Sequence, residues 1–416
     1  MSALQLQSLV GLPLLCALAW ACGGCRRGVR PRIVAAGLLG QVVLGAALLH
    51  LPPLRAAFAL AGGAVNALAA ATRAGTSLVF GYLGGAPLPF AETAPGASFV
   101  LFFQALPLVL VVGAISAVLY HWRVLPAVVA LLARGLRRLF GLSGACNLGV
   151  AANVFVGMVE APLLVRHWLA GFTRAELFVT MVAGLATISG NMLVVYAAMI
   201  APVVPDAAGQ LLAASLISAP AAILAALLMM PEREDARPSL EAEAAQPRLY
   251  DGTMDALVRG TADGLGLLLG IMASLIVFVA LVALANAALE PLTGLTLQQA
   301  AGWLFWPLAW AMGVPVEECT TVARLLGVKV VVNEFVSYLE LAATGGAGLS
   351  ERSRLVLAYA LCGFTNFGSV GIMVTGMAAM CPERRAEIVS LGLPSLVAAS
   401  IACCMAGATV GLLTPP

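Results

Sequence analysis

The sequence predicts an all-α polytopic membrane protein. Eight transmembrane helices and two oppositely oriented re-entrant hairpins are expected, arranged as an inverted repeat with broken helices. Three observations lead there. The 416 residues are 61% hydrophobic and 10% charged, with a mean hydropathy of +1.00, which excludes an ordinary soluble domain. Apolar runs of about 20 residues, the length that crosses a bilayer core, recur from end to end. Finally, Gly, Pro, Asn and Glu interrupt apolar stretches in both halves at matching positions, the pattern of discontinuous transporter helices.

Other classes lose support from the same composition. A net charge of +2 carries no signal for nucleic acid. Nine Cys are scattered, mostly in apolar segments, which argues against a disulfide framework. Cys22-Gly-Gly-Cys25 has CxxC spacing, but no second pair and no nearby His supports zinc. His50, His121 and His167 are isolated, so no cofactor beyond a coupling ion is expected.

The elements follow in order. Span 1 covers 4–22. No basic residue precedes it, and Arg26, Arg27, Arg30 and Arg32 follow, which fits a first span ending in the cytoplasm better than a cleaved signal peptide. Span 2 covers 33–51. Residues 54–96 are moderately apolar and Gly-rich, and read as an interfacial helix followed by a loop. Span 3 covers 98–120. Residues 122–145 place Arg123, Arg134, Arg137 and Arg138 on a Leu-rich cytoplasmic amphipathic helix.

Residues 147–170 hold Asn153, Gly157, Glu160 and Pro162. That stretch is too interrupted to cross, and reads as a hairpin entered from the cytoplasm. Thr173 to Glu176 is a capping box opening a helix over 174–202, interrupted at Ser189-Gly190-Asn191. Span 5 covers 208–230. Residues 231–260 are a polar linker between the halves. Span 6 covers 262–287, and Trp303, Trp306 and Trp310 mark an interfacial segment after it. A second interrupted stretch runs over 315–342, a helix over 352–378 breaks at Gly363-Phe364-Thr365-Asn366, and a last span covers 388–412.

Grouped by domain, 1–121 holds scaffold helices and the interfacial helix, and 122–230 the first half of a transport domain. Residues 231–260 connect it to 261–312, with span 6 and the interfacial segment, and 313–416 forms the second transport half. The basic residues orient the chain. With both termini outside, Arg55, Arg73, Arg324, Lys329, Arg352 and Arg354 lie outside, which leaves sixteen of the 22 Lys and Arg in the cytoplasm, as the positive-inside rule requires.

The halves repeat each other. Asn153 and Glu160 lie in the first hairpin, and Asn191 breaks the next helix 31 residues after Glu160. Asn333 and Glu334 lie in the second, and Asn366 follows Glu334 by 32 residues. The span count makes the first hairpin open inward and the second outward, which points to a site near the midplane. Carboxylates in hydrocarbon are costly and default to function. Two of them suit a ligand rich in hydroxyl donors, because an ionised carboxylate only accepts. Broken helices free carbonyls for a small cation. Glu317 and Glu318 read as hairpin-mouth residues, and Glu340 is unassigned.

At these residues the chain resembles the concentrative nucleoside transporter family. The matching stretches are Asn153-Val-Phe-Val-Gly157 with Glu160-Ala-Pro162, Gly184-Leu-Ala-Thr-Ile-Ser-Gly190, Gly313-Val-Pro315, Asn333-Glu-Phe-Val336 and Ala360-Leu-Cys-Gly-Phe-Thr-Asn-Phe-Gly-Ser369. The resemblance implies a homotrimer in a bacterial inner membrane that takes up nucleosides with sodium, or in some members protons. By that resemblance Glu334, Asn366 and Ser369 hold ribose, Glu160 faces them, and Phe364 lines the pocket. Sodium falls to the carbonyls of Asn153, Val156, Thr187 and Ile188 with the Thr187 hydroxyl, where the family usually has Ser. The departure is Gly157-Met158-Val159-Glu160, where the family usually has Gln and a hydroxyl residue facing the nucleobase. Met158 and Val159 therefore imply altered or loosened base recognition, with Ser189, Asn191 and Met192 on the facing broken helix. The leading expectation is an ion-coupled nucleoside importer. The alternatives are a proton-coupled importer of nucleosides or related hydroxylated solutes, and a receptor that binds nucleoside without moving it. An enzyme finds no metal cluster and no Ser–His or Cys–His pair at the breaks.

Overall fold

The computed structural model describes residues 2–26, 28–92, 98–232 and 249–415. Arg27 and 233–248, the body of the expected polar linker, lie outside the described residues. Among the described residues every regular element is helical. In chain order they are α1 (Ala3–Cys22), α2 (Pro31–His50), α3 (Pro52–Phe80), α4 (Leu101–Gln104), α5 (Leu108–His121), α6 (Val124–Phe140), α7 (Gly144–Asn153), α8 (Glu160–Leu164), α9 (Arg166–Leu169) and α10 (Arg174–Ala186). There follow α11 (Gly190–Ile200), α12 (Ala207–Met229), α13 (Thr253–Thr293), α14 (Leu297–Ala311), α15 (Val316–Val331), α16 (Glu334–Ala343), α17 (Glu351–Leu361), α18 (Phe367–Met380) and α19 (Arg385–Leu413).

Local chemistry sets many of these boundaries. Reciprocal capping boxes open α1 (Ser2 with Gln5), α10 (Thr173 with Glu176) and α14 (Thr296 with Gln299), each satisfying orphan N–H groups. Prolines at the first turns of α2 and α3 cost no hydrogen bond there. Among the described residues, seven helical stretches are long and apolar enough to cross a membrane: 3–22, 31–50, 101–121, 174–200, 207–229, 253–293 and 382–413. The broken pair α17–α18 supplies the eighth crossing. α7 with α8 and α9, and α15 with α16, form the two hairpins.

Some elements differ from expectation. The first broken helix parts at Thr187-Ile188-Ser189, two residues back, because the Ser189 side chain caps α11 and Gly190 already begins it. α13 starts at Thr253 and runs 41 residues, well before the expected start at 262. Lys329 and Arg352, counted as outside charges, are buried, 2% and 5% exposed. Removing both sharpens the charge asymmetry.

α13 lies along α5, and its most apolar window is only 11% buried. α12 and α19 are the most enclosed long helices, and α10, α17, α1 and α2 pack on them. Spans 1 and 2, expected in the scaffold, thus sit against the core that carries the broken helices.

Candidate functional site

The two helix breaks lie side by side. A Cβ on Gly363 would come within 2.9 Å of the Leu185 carbonyl oxygen and 3.0 Å of the Ala186 carbonyl carbon, so only glycine permits this approach. Cys403 of α19 places its thiol 3.7 Å from both the Ala186 and the Cys362 carbonyl oxygens. It thereby offers a weak donor to carbonyls that the breaks release.

Each second half-helix starts on a polar cap. Ser189 accepts from the Met192 N–H at 3.4 Å, and Asn366 Oδ1 accepts from the Ser369 N–H at 2.7 Å. Asn333 likewise caps α16, accepting from Val336 N–H at 2.9 Å. The cap spends Asn366 Oδ1 and leaves its amide free to donate. That amide donates to Glu334 Oε2 at 2.8 Å.

Glu334 is the first residue of α16, where its charge is favoured by the helix dipole. It is 5% exposed, and its other oxygen accepts from Tyr196 Oη at 2.8 Å. Both oxygens are therefore held, one by each repeat. Tyr196 escaped the sequence reading because an aromatic residue in an apolar helix reads as core. Its ring also packs on Phe335 at 6.0 Å and Tyr338 at 4.8 Å between centroids. Asn366 and Ser369 are buried beside Glu334, 4% and 7% exposed, and Phe364 is half-buried just before the cap.

The first hairpin tip seats its apolar residues against glycines. A Cβ on Gly184 would stand 3.3 Å from Met158 Cβ, and one on Gly376 3.0 Å from a Val159 methyl. Met158 thus faces α10 and Val159 faces α18. Gly190 N–H donates to the Phe155 carbonyl at 2.9 Å, which ties the tip to α11. Glu160 begins α8, is exposed, and has its carboxylate folded back over Gly157. Among the described residues no hydrogen bond links it to Glu334, whose carboxylate is held by Tyr196 and Asn366. Asn191 Oδ1 accepts from Ser116 of α5 at 3.3 Å, and Met192 is buried in the core. Neither is among the partners of Glu334.

Of the residues expected to hold a cation, Asn153 and Thr187 meet. Thr187 Oγ1 lies 3.0 Å from the Asn153 carbonyl oxygen and 2.9 Å from that of Ala183. Asn153 is 1% exposed, and neither its Oδ1 nor its Nδ2 has a hydrogen-bond partner. Val156 follows on the tip, and Thr187 and Ile188 form the break itself. This donor set of hard oxygens, with an orphaned amide oxygen beside it, fits an alkali cation.

Comparison with known proteins agrees with this architecture. The family model "Na+ dependent nucleoside transporter C-terminus" matches residues 210–411, its N-terminal counterpart matches 10–83, and a "Nucleoside recognition" model matches 102–203. An uncharacterized transporter of Haemophilus influenzae is 34% identical, over 98% of this chain and 97% of that protein. Nucleoside permease NupC of Helicobacter pylori is 29% identical, over 98% and 97%. Human sodium/nucleoside cotransporter 1 is 33% identical, over 97% of this chain and 63% of that protein. The solved structure of CNTnw in an inward-facing substrate-bound state superposes with a TM-score of 0.89 at 35% identity, covering 99% of both chains. With hairpins, adjacent breaks and sequence all in agreement, the chain belongs to the concentrative nucleoside transporter family, whose members are membrane transporters and not enzymes.

Proposed function

We propose that the protein imports nucleosides across a bacterial inner membrane in symport with sodium, by alternating access and as a homotrimer. The observation that carries the sodium reading is Asn153. Its buried, unpartnered amide sits where α7 and α10 both end, beside the Thr187 hydroxyl. Two helix C-termini make that point electronegative, and the carbonyls of Asn153, Val156, Thr187 and Ile188 complete an oxygen shell. The cotransporter names of the mammalian relatives agree with this ion.

Glu334, Asn366 and Ser369 take the ribose. A nucleoside hydroxyl can displace the Asn366 amide from Oε2 while Tyr196 keeps Oε1 in place. Phe364 supplies an apolar wall, and Glu160 contributes a second carboxylate from the opposite hairpin. Met158 and Val159 present no hydrogen-bonding group to the base, so recognition rests on the sugar.

Purified protein in liposomes tests the proposal. Uptake of labelled nucleoside is expected under an inward sodium gradient and not under a pH gradient alone. Uptake driven by the pH gradient without sodium overturns the sodium assignment in favour of protons. Nucleoside binding with no counterflow makes the protein a receptor instead.

A further inference from the structure

The second repeat places a lysine at the position that corresponds to the candidate cation site of the first. In the first repeat the C-terminal ends of α7 and α10 meet. Each helix end carries roughly half a negative elementary charge, and neither has a basic residue in its last turn. A cation must therefore come from solution. In the second repeat the corresponding ends are those of α15 and α17, and they meet in the same way. Here the last turn of α15 carries Lys329. Its ammonium donates to the Ala360 carbonyl at 2.8 Å, in the last turn of α17.

Lys329 is an unusual residue to find there. It is 2% exposed, and lysines are almost never fully buried unless paired. Among the described hydrogen bonds and ion pairs its partner is a backbone carbonyl, not a carboxylate. What compensates the charge is the pair of helix ends, together with Glu334 five positions further along the same hairpin. Nearby, Tyr338 Oη donates to the Ala358 carbonyl at 2.8 Å, so donors from hairpin 2 cap the freed end of α17. The matching end of α10 has Ala183 tied up by Thr187 and Ala186 touched by a thiol, and among the described hydrogen bonds none brings a Lys or Arg side chain to it.

We infer that Lys329 is a tethered cation standing where the inverted repeat would otherwise bind a second coupling ion. The protein therefore takes one coupling ion per nucleoside, and the outward-opening hairpin is charge-balanced throughout the cycle. This rests on the ion-coupled reading above and adds the ion count and the residue that sets it.

Two measurements test it. In proteoliposomes, the membrane potential at which net nucleoside flux reverses gives the number of ions coupled to each nucleoside. One sodium per nucleoside is expected, and two overturns the inference. One proton per nucleoside would overturn the sodium assignment while supporting the single-ion count. The second measurement needs no transport. Melting of detergent-purified Lys329→Ala and Lys329→Arg is followed in sodium chloride against choline chloride. The Ala variant should gain sodium-dependent stabilisation beyond that of the unaltered protein, and the Arg variant should gain none. A folded Ala variant with unchanged sodium dependence overturns the inference; if it does not fold, the reversal measurement decides.

Discussion

The Tyr196 hydroxyl donates to Glu334 Oε1 at 2.8 Å, so a residue of the first repeat orients the carboxylate of the second. Phenol and carboxylate are both buried. Tyr196→Phe leaves one carboxylate oxygen unpaired, a loss of about 1.5–3 kcal/mol for a hydrogen bond to a charged group. The KM for nucleoside uptake should rise about tenfold to a hundredfold, with the sodium dependence unchanged. A KM equal to that of the unaltered protein would remove Tyr196 from the binding site.

Glu334 itself should not tolerate neutralisation. In Glu334→Gln the amide NH2 faces either Tyr196 Oη or Asn366 Nδ2, both donors in the present geometry. Nucleoside should then fail to raise the melting temperature of the purified variant, and uptake should vanish. Nucleoside stabilisation of Glu334→Gln equal to that of the unaltered protein contradicts the ribose assignment.

At the cation site, Thr187→Val keeps the shape and removes the hydroxyl that touches the Asn153 carbonyl. The sodium concentration for half-maximal uptake should rise about tenfold, the worth of one oxygen ligand at roughly 1.4 kcal/mol. Thr187→Ser should keep nearly normal affinity. Equal sodium curves for Thr187→Val and the unaltered chain would place the ion elsewhere.

The apolar hairpin tip predicts loose base selectivity. Met158→Gln with Val159→Thr adds hydrogen-bonding groups next to α10 and α18. A base able to pair with them should gain about 1–3 kcal/mol over one that cannot. A competition panel of purine and pyrimidine nucleosides reads this directly. An identical ranking before and after the double change would mean that these side chains do not face the base.

A stability prediction concerns Arg352. Its guanidinium is buried and donates to the Gly411 carbonyl at 2.5 Å, to the Gly313 carbonyl at 3.5 Å, to Ser8 at 3.4 Å and to the Thr414 carbonyl. It joins α1, the start of hairpin 2 and the end of α19. Arg352→Met strands several carbonyls at about 1–3 kcal/mol each, and should lower the melting temperature sharply with no change in nucleoside KM. Unaltered melting would show that these contacts contribute little.

The sequence by itself determined the element order, both hairpins, the breaks and the carboxylates, because hydropathy, Gly, Pro and capping residues act over a few neighbours. Asn333 and Asn366 could be singled out for the same reason, since an Asn before an apolar helix is a local cap. Tertiary structure alone decided which groups complete the site. Tyr196 and Cys403 lie in apolar helices and read as core, and Lys329 and Arg352 read as outside charges. Each acts on a carboxylate or carbonyl that lies dozens to hundreds of positions away in the chain. The same holds for spans 1 and 2, whose composition suits any membrane helix. Their place against α12 and α19 depends on where glycines such as Gly37 and Gly45 let those helices approach, and hydropathy carries no record of a packing partner.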